Sequence, residues 1–309
     1  MRLATIDLGS NTVRLLVADV EPGVHGWRTV DADQRVTRLG EGLATTGRLA
    51  PAPAERTAAV VGEYVARARK AGAARVEIVA TSAVREAANG RDFAATLERA
   101  TGERVTVVSG DEEATLTLAG VLGGLAGAAP AARTLVFDIG GGSTEYVLAL
   151  DRAPIAAVSL HLGVVDLAER YPFPGPVERA RYDAMGAEIA GRLAREVPAA
   201  IRTARLDRLV GTAGTATTLA ALDLGLRAYD PARVQGHVLP RAAIEAQRDR
   251  LAGLTVAERG ALPCLEPGRA DLIVAGTAIV LATLDLTGAA AMVVSDWGLR
   301  EGILIRLGV

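Results

Sequence analysis

Residues 4–20 read ATIDLGSNTVRLLVADV, and residues 135–150 read LVFDIGGGSTEYVLAL. Each stretch has an apolar run, an Asp-x-Gly turn and a second apolar run, which is the pattern of a β-hairpin. One such turn carries little information. The same unit at the start of both halves of the chain predicts that a single domain has been duplicated.

Strand and helix patterns alternate after each hairpin. The strand patterns lie at 75–80, 104–108, 155–160, 207–210 and 291–294, and the helical patterns at 52–71, 92–101, 176–195 and 270–286. This alternation predicts an α/β fold in which helices cover mixed or parallel sheets. The Gly/Ala/Pro-rich segment 123–133 predicts a linker. We therefore assign residues 1–127 and 128–309 to two domains, with the last helix available to pack back on the first.

Composition excludes several classes of function. The net charge of −2 and pI of about 6.0 argue against broad nucleic-acid binding. The most apolar stretch, 275–294, is interrupted by Asp285, so no membrane span is expected. Lys70 is the single lysine, which excludes a P-loop. Cys264 is the single cysteine, so we expect a reducing, cytoplasmic environment.

Glycine-containing turns are predicted after three strands, at 7–12, 138–144 and 211–215. Glycine allows backbone N–H groups to converge on an anion, and nearby hydroxyl groups can add donors to phosphate oxygens. The turns therefore predict a phosphate site, and arginines that follow strands could contribute to it. The candidate residues are Ser10, Thr12, Gly140, Gly141, Gly142, Ser143, Thr144, Arg35, Arg38 and Arg85.

Acidic residues accompany these turns. Asp7 and Asp138 occupy equivalent places at strand ends, where a carboxylate beside a phosphate favours a bridging Mg²⁺. Glu112 and Glu113 begin a helix, where both helix stabilisation and a catalytic role are open. Glu145 lies in an apolar strand and needs a partner or a role. Asp7 and Asp138 are the candidate metal ligands.

At these residues the chain resembles the exopolyphosphatase / guanosine pentaphosphate phosphohydrolase (Ppx/GppA) family of the actin-like superfamily. The similarity runs almost end to end and consists of several motifs in consecutive order. They are IDLGSNTVRLLV, VATSAVREAANG, VVSGDEEATLTLAGV, FDIGGGSTE, SLHLGVVDLAERY, GTAGTATTLA and VVSDWGLREGIL. The chain is similar to the short, two-domain members.

The resemblance implies duplicated actin-like (ribonuclease H-like) domains with a cleft between them, in which Asp7 and Asp138 face each other. It implies hydrolysis of a terminal phosphoanhydride bond with Mg²⁺, or Mn²⁺ in its place, by a cytoplasmic homodimer. Glu113 matches the general base, and Asp138 and Glu145 match the carboxylates that complete the catalytic and metal site. The matching phosphate contacts are Ser10, Asn11, Arg85, Gly141, Gly142 and Ser143.

The chain departs from the family pattern at two positions, and two alternative functions remain open. Thr115 and Asp166 stand where the family has basic residues, so we expect weaker binding of long polyphosphate. The alternatives are an acetate- or sugar-kinase-like phosphotransferase and a non-catalytic alarmone or nucleotide sensor. Polyphosphate and guanosine pentaphosphate both remain open as substrates.

Overall fold

A computed structural model describes residues 1–21, 26–125 and 132–308 of the 309-residue chain. The chain divides into two compact units. The first contains Met1–Gly123 together with Gly298–Val309, and the second contains Gly124–Trp297. Of the predicted linker, residues 126–131 lie outside the described residues.

The strands belong to two sheets. They are β1 (Arg2–Leu8), β2 (Thr12–Val20), β3 (Trp27–Val36), β4 (Arg75–Ala80), β5 (Val105–Val107), β6 (Arg133–Ile139), β7 (Thr144–Leu150), β8 (Ala153–Leu160), β9 (Arg208–Thr212), β10 (Val238–Pro240) and β11 (Ala291–Val294).

The helices cover both sheets. They are α1 (Leu43–Thr46), α2 (Pro51–Lys70), α3 (Ser82–Glu86), α4 (Gly90–Thr101), α5 (Gly110–Gly124), α6 (Val164–Arg170), α7 (Arg179–Glu196), α8 (Ala199–Arg202), α9 (Ala213–Asp223), α10 (Pro231–Val234), α11 (Arg241–Ala252), α12 (Val256–Gly260), α13 (Ile273–Thr287) and α14 (Leu299–Arg306).

The two sheets have the same core topology. The first has the order β3-β2-β1-β4-β5 and the second β10-β11-β9-β6-β7-β8. In each, three antiparallel strands (β1 to β3, and β6 to β8) are followed by parallel strands beside the first of the three. The common order confirms the prediction of a duplicated α/β unit.

Each unit has its own hydrophobic core. In the first, Ile6 and Leu8 of β1 pack with Val61, Tyr64 and Val65 of α2. The second core joins apolar residues of β6 and β7 to α7 and α13. Helix α13 is apolar around its whole circumference because it is buried on nearly all sides. Among the described residues, no helix has the length and apolar character that a membrane crossing requires.

Helix α14 lies against β1 and α5 in the first unit. Leu304 packs with Leu3 and Leu16, and the Thr5 hydroxyl donates to the Arg300 carbonyl at 3.2 Å. A β-carbon at Gly302 would lie 1.8 Å from the Leu116 carbonyl oxygen. Glycine is therefore required for this close contact between two helices.

The structure corrects two features of the predicted pattern. The turn predicted at 211–215 is confined to the junction at Ala213, which has a left-handed φ of 65°, because β9 continues through Thr212 and α9 begins at Ala213. Strand β3 was not predicted, since its sequence WRTVDADQRV is rich in charge. Its charged residues are satisfied by ion pairs to α2, including Arg67 with Asp31 at 2.8 Å.

Candidate functional site

The two hairpin turns share one backbone geometry. Gly140 N–H donates to the Ser143 carbonyl at 2.9 Å, and Gly9 N–H donates to the Thr12 carbonyl at 3.1 Å. A β-carbon would lie 3.1 Å from the Ser143 oxygen at Gly140 and 3.0 Å from the Thr12 oxygen at Gly9. The turns at the two strand ends are therefore structural equivalents, as the repeated sequence predicts.

Polar side chains form a row across the second sheet beside its turn. Strand register aligns Glu145 with both Asp138 and Ser159, and aligns Asp138 with Thr212. Glu145 is only 2% exposed, and the Ser159 hydroxyl donates to its Oε1 at 2.6 Å. Directly opposite side chains share one face of a sheet and lie close together. Asp138 and Glu145 are thus neighbours on one face of the second sheet, and their catalytic role stays a prediction.

The equivalent row of the first sheet has a different charge. Asp7 is aligned with Arg14, and Arg14 with Gln34. The first unit thus pairs an acid with a base, where the second pairs two acids. Adjacent carboxylates repel each other unless a cation or hydrogen-bond donors stabilise them. Only the second of these two aligned rows contains an acid pair, Asp138 with Glu145.

The glycine-rich turn of the second unit is held by the first residues of α6 and by Gly163, which precedes them. Val164 N–H and Val165 N–H donate to the carbonyl groups of Gly140 and Gly141 at 3.1 and 2.9 Å. A β-carbon at Gly163 would lie 2.1 Å from the Gly141 oxygen, so this approach requires glycine. These bonds hold the turn carbonyls to one side, which fixes the orientation of its peptide groups.

The predicted phosphate ligands of this turn differ in their exposure. Gly140, Gly141 and Gly142 are partly exposed, whereas Ser143 and Thr144 are buried. The Thr144 hydroxyl donates its proton to the Leu162 carbonyl. Because Gly140 N–H already donates to the Ser143 carbonyl, the peptide groups of Gly141 and Gly142 are the more accessible donors.

The first turn is held by a loop and by α3. The Ser10 hydroxyl accepts a hydrogen bond from Ala83 N–H at 3.1 Å, and its own proton can serve a further acceptor. The Asn11 carbonyl accepts from Thr37 N–H and Arg38 N–H at 2.9 and 3.0 Å. These bonds place residues 37–40 beside the predicted phosphate ligands Ser10 and Asn11.

The Asn11 side chain carries an unsatisfied atom. Its Oδ1 is buried and has no hydrogen-bond partner among the described residues. Asn11 Nδ2 donates to the Thr12 hydroxyl at 3.3 Å, and Asn11 as a whole is 8% exposed. Buried polar atoms normally have a partner, so this oxygen indicates a ligand, ion or water at the turn.

Arg85 and Glu113 form an ion pair within the first unit. Arg85 Nη1 donates to Glu113 Oε2 at 2.8 Å and to the Val108 carbonyl at 3.0 Å. The side chains are 22% and 11% exposed, respectively. The structure thus brings the predicted general base into contact with the predicted phosphate-binding arginine.

Glu112 is separated from Glu113 by its contacts. Glu112 Oε2 accepts from the backbone N–H and hydroxyl of Ser109 at 2.8 and 3.0 Å, and the Ser109 hydroxyl accepts from Glu112 N–H. This is a capping box at the start of α5. The Ser109 backbone and hydroxyl hydrogen bonds lower the pKa of the Glu112 carboxyl. Of the two acids, Glu112 stabilises the helix.

The residues fit the oxygen chemistry of Mg²⁺. Asp7 and Asn11 Oδ1 are buried at the first turn, and hard oxygen atoms are the ligands that Mg²⁺ prefers. Within residues 1–21, 26–125 and 132–308, no group of three or more His, Cys, Asp or Glu side chains could hold a metal ion. Mg²⁺ is commonly held by one or two carboxylates, with water and substrate phosphate as its other ligands. That Asp7 and Asp138 face each other stays a prediction.

Sequence reasoning missed the parts that support the site. Ser159 holds Glu145, Gly163 allows the approach to Gly141, and the loop 37–40 holds the first turn. The SLHLGVV motif carried the signal for Ser159 and Gly163, since both lie in it. The two residues that depart from the family pattern have partners within their own helices. The Thr115 hydroxyl donates to the Asp111 carbonyl, and Asp166 pairs with Arg170 at 2.8 Å.

Comparison with known proteins extends these observations over the whole chain. Residues 16–308 match the model of the Ppx/GppA phosphatase family. Exopolyphosphatase 2 of Mycobacterium tuberculosis is 38% identical, over 99% of this chain and 98% of its own. The crystal structure of the Aquifex aeolicus Ppx/GppA family member has a TM-score of 0.82 at 33% identity, and covers 99% of this chain and 97% of its own.

An exopolyphosphatase from Cytophaga hutchinsonii has a TM-score of 0.91 at 25% identity, again with 99% of this chain and 97% of its own covered. The similarity spans both units and confirms the predicted duplicated α/β fold. The hairpin turns, the acid pair and the ion pair therefore lie in a chain whose sequence and fold agree with one family throughout. This chain belongs to the Ppx/GppA phosphatase family.

Proposed function

We propose that this protein is an exopolyphosphatase, a hydrolase that releases terminal phosphate from inorganic polyphosphate. The observation that carries the proposal is the acid pair Asp138 and Glu145 on adjacent strands beside the glycine-rich turn. The names of the relatives, exopolyphosphatase 1 and 2, support the substrate class.

The residues suit phosphoryl transfer to water. That reaction needs neutralised charge and an oriented nucleophile more than it needs covalent catalysis. Peptide groups at Gly141 and Gly142 and the hydroxyl of Ser10 would bind phosphate oxygens. Asp138 and Asp7 would hold Mg²⁺ or Mn²⁺, which would supply positive charge when bound. Glu113, held by Arg85, would accept the proton of the attacking water.

Guanosine pentaphosphate is a second proposed substrate, because its terminal bond is also a phosphoanhydride. Both substrates present a terminal phosphate to the same groups, and they differ in the chain that follows. A homodimer in the cytoplasm is likewise our proposal.

The decisive measurement is phosphate release from polyphosphates of several lengths, guanosine pentaphosphate and ATP, with Mg²⁺. We expect turnover of polyphosphate that is lost in excess chelator and restored by Mg²⁺ or Mn²⁺. Substrate binding without release would support the sensor. Phosphorylation of an added acetate or sugar by ATP would support the phosphotransferase. Either result without polyphosphate hydrolysis would contradict the proposal.

A further inference from the structure

The surroundings of Glu145 are asymmetric. Its strand, β7, lies between β6 and β8, so Glu145 has Asp138 on one side and Ser159 on the other. Asp138 brings a second negative charge, whereas Ser159 brings a hydrogen-bond donor. Glu145 is 2% exposed, so hydrogen bonds from the protein matter more to its carboxylate than bulk water does.

The contact between Ser159 and Glu145 has the length of a strong hydrogen bond. The distance from Ser159 Oγ to Glu145 Oε1 is 2.6 Å. Hydrogen bonds from a hydroxyl to an ionised carboxylate fall at about 2.5–2.7 Å and are roughly twice as strong as neutral ones. Such a bond favours the charged carboxylate and restricts its rotation.

Ser159 also belongs to the segment that supports the glycine-rich turn. Strand β8 ends at Leu160, and the same segment continues to Gly163, which lies against Gly141. Val164 and Val165 then bind the turn carbonyls. One short piece of chain therefore holds both the buried acid and the turn.

We propose that Ser159 is a positioning residue, which holds the Glu145 carboxylate in its orientation for the reaction. The inference rests on the proposed hydrolase function and assigns a task within it. Ser159 does not touch the reacting atoms and acts through Glu145. A purely structural serine would stabilise the sheet without any effect on turnover.

Two substitutions with the same shape separate these roles. Ser159→Thr keeps the hydroxyl and adds one methyl group, and Ser159→Val adds the same methyl group and replaces the hydroxyl with a second one. Both residues are β-branched and suit a strand. We expect Ser159→Val to lower kcat for polyphosphate by roughly 10- to 100-fold, the effect of losing a hydrogen bond to a charged group. KM should stay within about threefold, and Ser159→Thr should recover most of the lost kcat.

A double-mutant cycle with Glu145→Gln provides the second readout. If Ser159 acts through the carboxylate, Ser159→Val should lower kcat by less than about threefold in the Glu145→Gln background. Thermal unfolding of each variant shows whether it folds. An undiminished loss in the Glu145→Gln background would overturn the inference, as would equal kcat values for the Thr and Val variants.

The unchanged protein tests the underlying function in the same experiment. If it hydrolyses polyphosphate and the Thr and Val variants do not differ, the positioning role is wrong and the proposed function stands. If the unchanged protein hydrolyses no phosphoanhydride, both are wrong.

Discussion

Arg85 and Glu113 are joined by a 2.8 Å hydrogen bond between Nη1 and Oε2, although they come from different helices, α3 and α5. Arg85 is fixed in turn by the Val108 carbonyl at the end of the strand region before α5. The general base and a phosphate ligand of the proposed reaction are therefore a single unit. A change at one of them alters the other.

Glu113→Gln should lower kcat by about 10²–10⁴-fold, because the amide cannot accept the proton of the attacking water. Substrate binding should persist, since the amide oxygen can still accept from Arg85. Steady-state phosphate release measures kcat, and binding of a non-hydrolysable polyphosphate analogue measures the affinity for substrate.

Glu112→Gln is the matched control. A glutamine can also complete the capping box with Ser109, so we expect little change in either kcat or stability. Equal, small losses of kcat from the two substitutions would show that Glu112 and Glu113 only stabilise α5. The general base would then have to be sought at Glu145.

Arg85→Ala should lower kcat as well as raise KM. It removes a phosphate ligand together with the guanidinium that holds the largely buried Glu113 carboxylate in its orientation. Loss of a hydrogen bond between charged groups corresponds to roughly 10- to 100-fold in each parameter.

A double-mutant cycle distinguishes the two effects of Arg85. In the Glu113→Gln background the kcat effect of Arg85→Ala should shrink, while the KM effect persists. A kcat effect of unchanged size would mean that Arg85 does not act through Glu113. If KM is unchanged for all substrates, Arg85 does not bind the substrate and its role is structural.

The hairpins and their turns could be predicted because local sequence determines them. An apolar strand, Asp-x-Gly and a second apolar strand fold in one way, and the repeat identifies the duplication. Strand β3 was not predicted because its sequence is rich in charge, and both its pairing with β2 and its ion pairs, such as Arg67 with Asp31, connect residues that are apart in sequence. The run at 211–215 was predicted as a longer turn because of its glycines, but the chain changes direction at Ala213, whose left-handed φ of 65° connects β9 to α9.

The acids of the site could be predicted, but not their partners. Asp138 and Glu145 carry a local signal, since a carboxylate in an apolar strand is unusual. That Ser159 lies beside Glu145 depends on the register of β7 with β8, and Arg85 meets Glu113 through the packing of α3 and α5. Such pairings arise from tertiary structure, which a single sequence does not reveal.

Arg38→Asn should make the protein more stable and weaken its binding of substrate. Arg38 has a φ of 52°, a conformation that is unfavourable for residues with long side chains and well tolerated by asparagine. Relief of this strain should add roughly 0.5–1 kcal/mol to the free energy of unfolding. Because Arg38 is held beside Ser10 and Asn11, loss of its charge should raise KM about tenfold.

Arg35→Asn is the control for Arg38. Arg35 lies in β3, pairs with Glu63 at 2.6 Å and stacks over Tyr64, so its loss should reduce stability and leave KM unchanged. Urea unfolding and KM for polyphosphate check both variants. A decrease in stability for Arg38→Asn with no change in KM would contradict the assignment of Arg38 to the substrate.

Of the substitutions proposed for this protein, Arg259→Met, at a buried position in the second unit, should lower the free energy of unfolding most. Arg259 is fully buried and donates to three backbone carbonyls: Leu251 from Nε at 2.9 Å, Phe173 from Nη1 at 2.8 Å and Gly175 from Nη2 at 3.2 Å. Burial lowers the pKa of the guanidinium. Methionine fills the space without a donor, so the Phe173 and Gly175 carbonyls lose the hydrogen bonds from Arg259, whereas the Leu251 carbonyl still accepts from Leu254 N–H at 3.3 Å.

Each buried polar group left without a partner costs about 1–3 kcal/mol, so for two carbonyls the loss in unfolding free energy should reach about 2 kcal/mol or more. Arg259→Lys should recover only part of it, because one ammonium group cannot match three carbonyls that are arranged around a planar fork. The control is Arg179→Met, since the Arg179 side chain is 89% exposed and pairs with Asp183 within one helix. Exposed pairs contribute about 0–1 kcal/mol. Urea unfolding of the three variants decides the matter: similar midpoints for Arg259→Met and Arg179→Met would show that the three carbonyl contacts do not hold the second unit together.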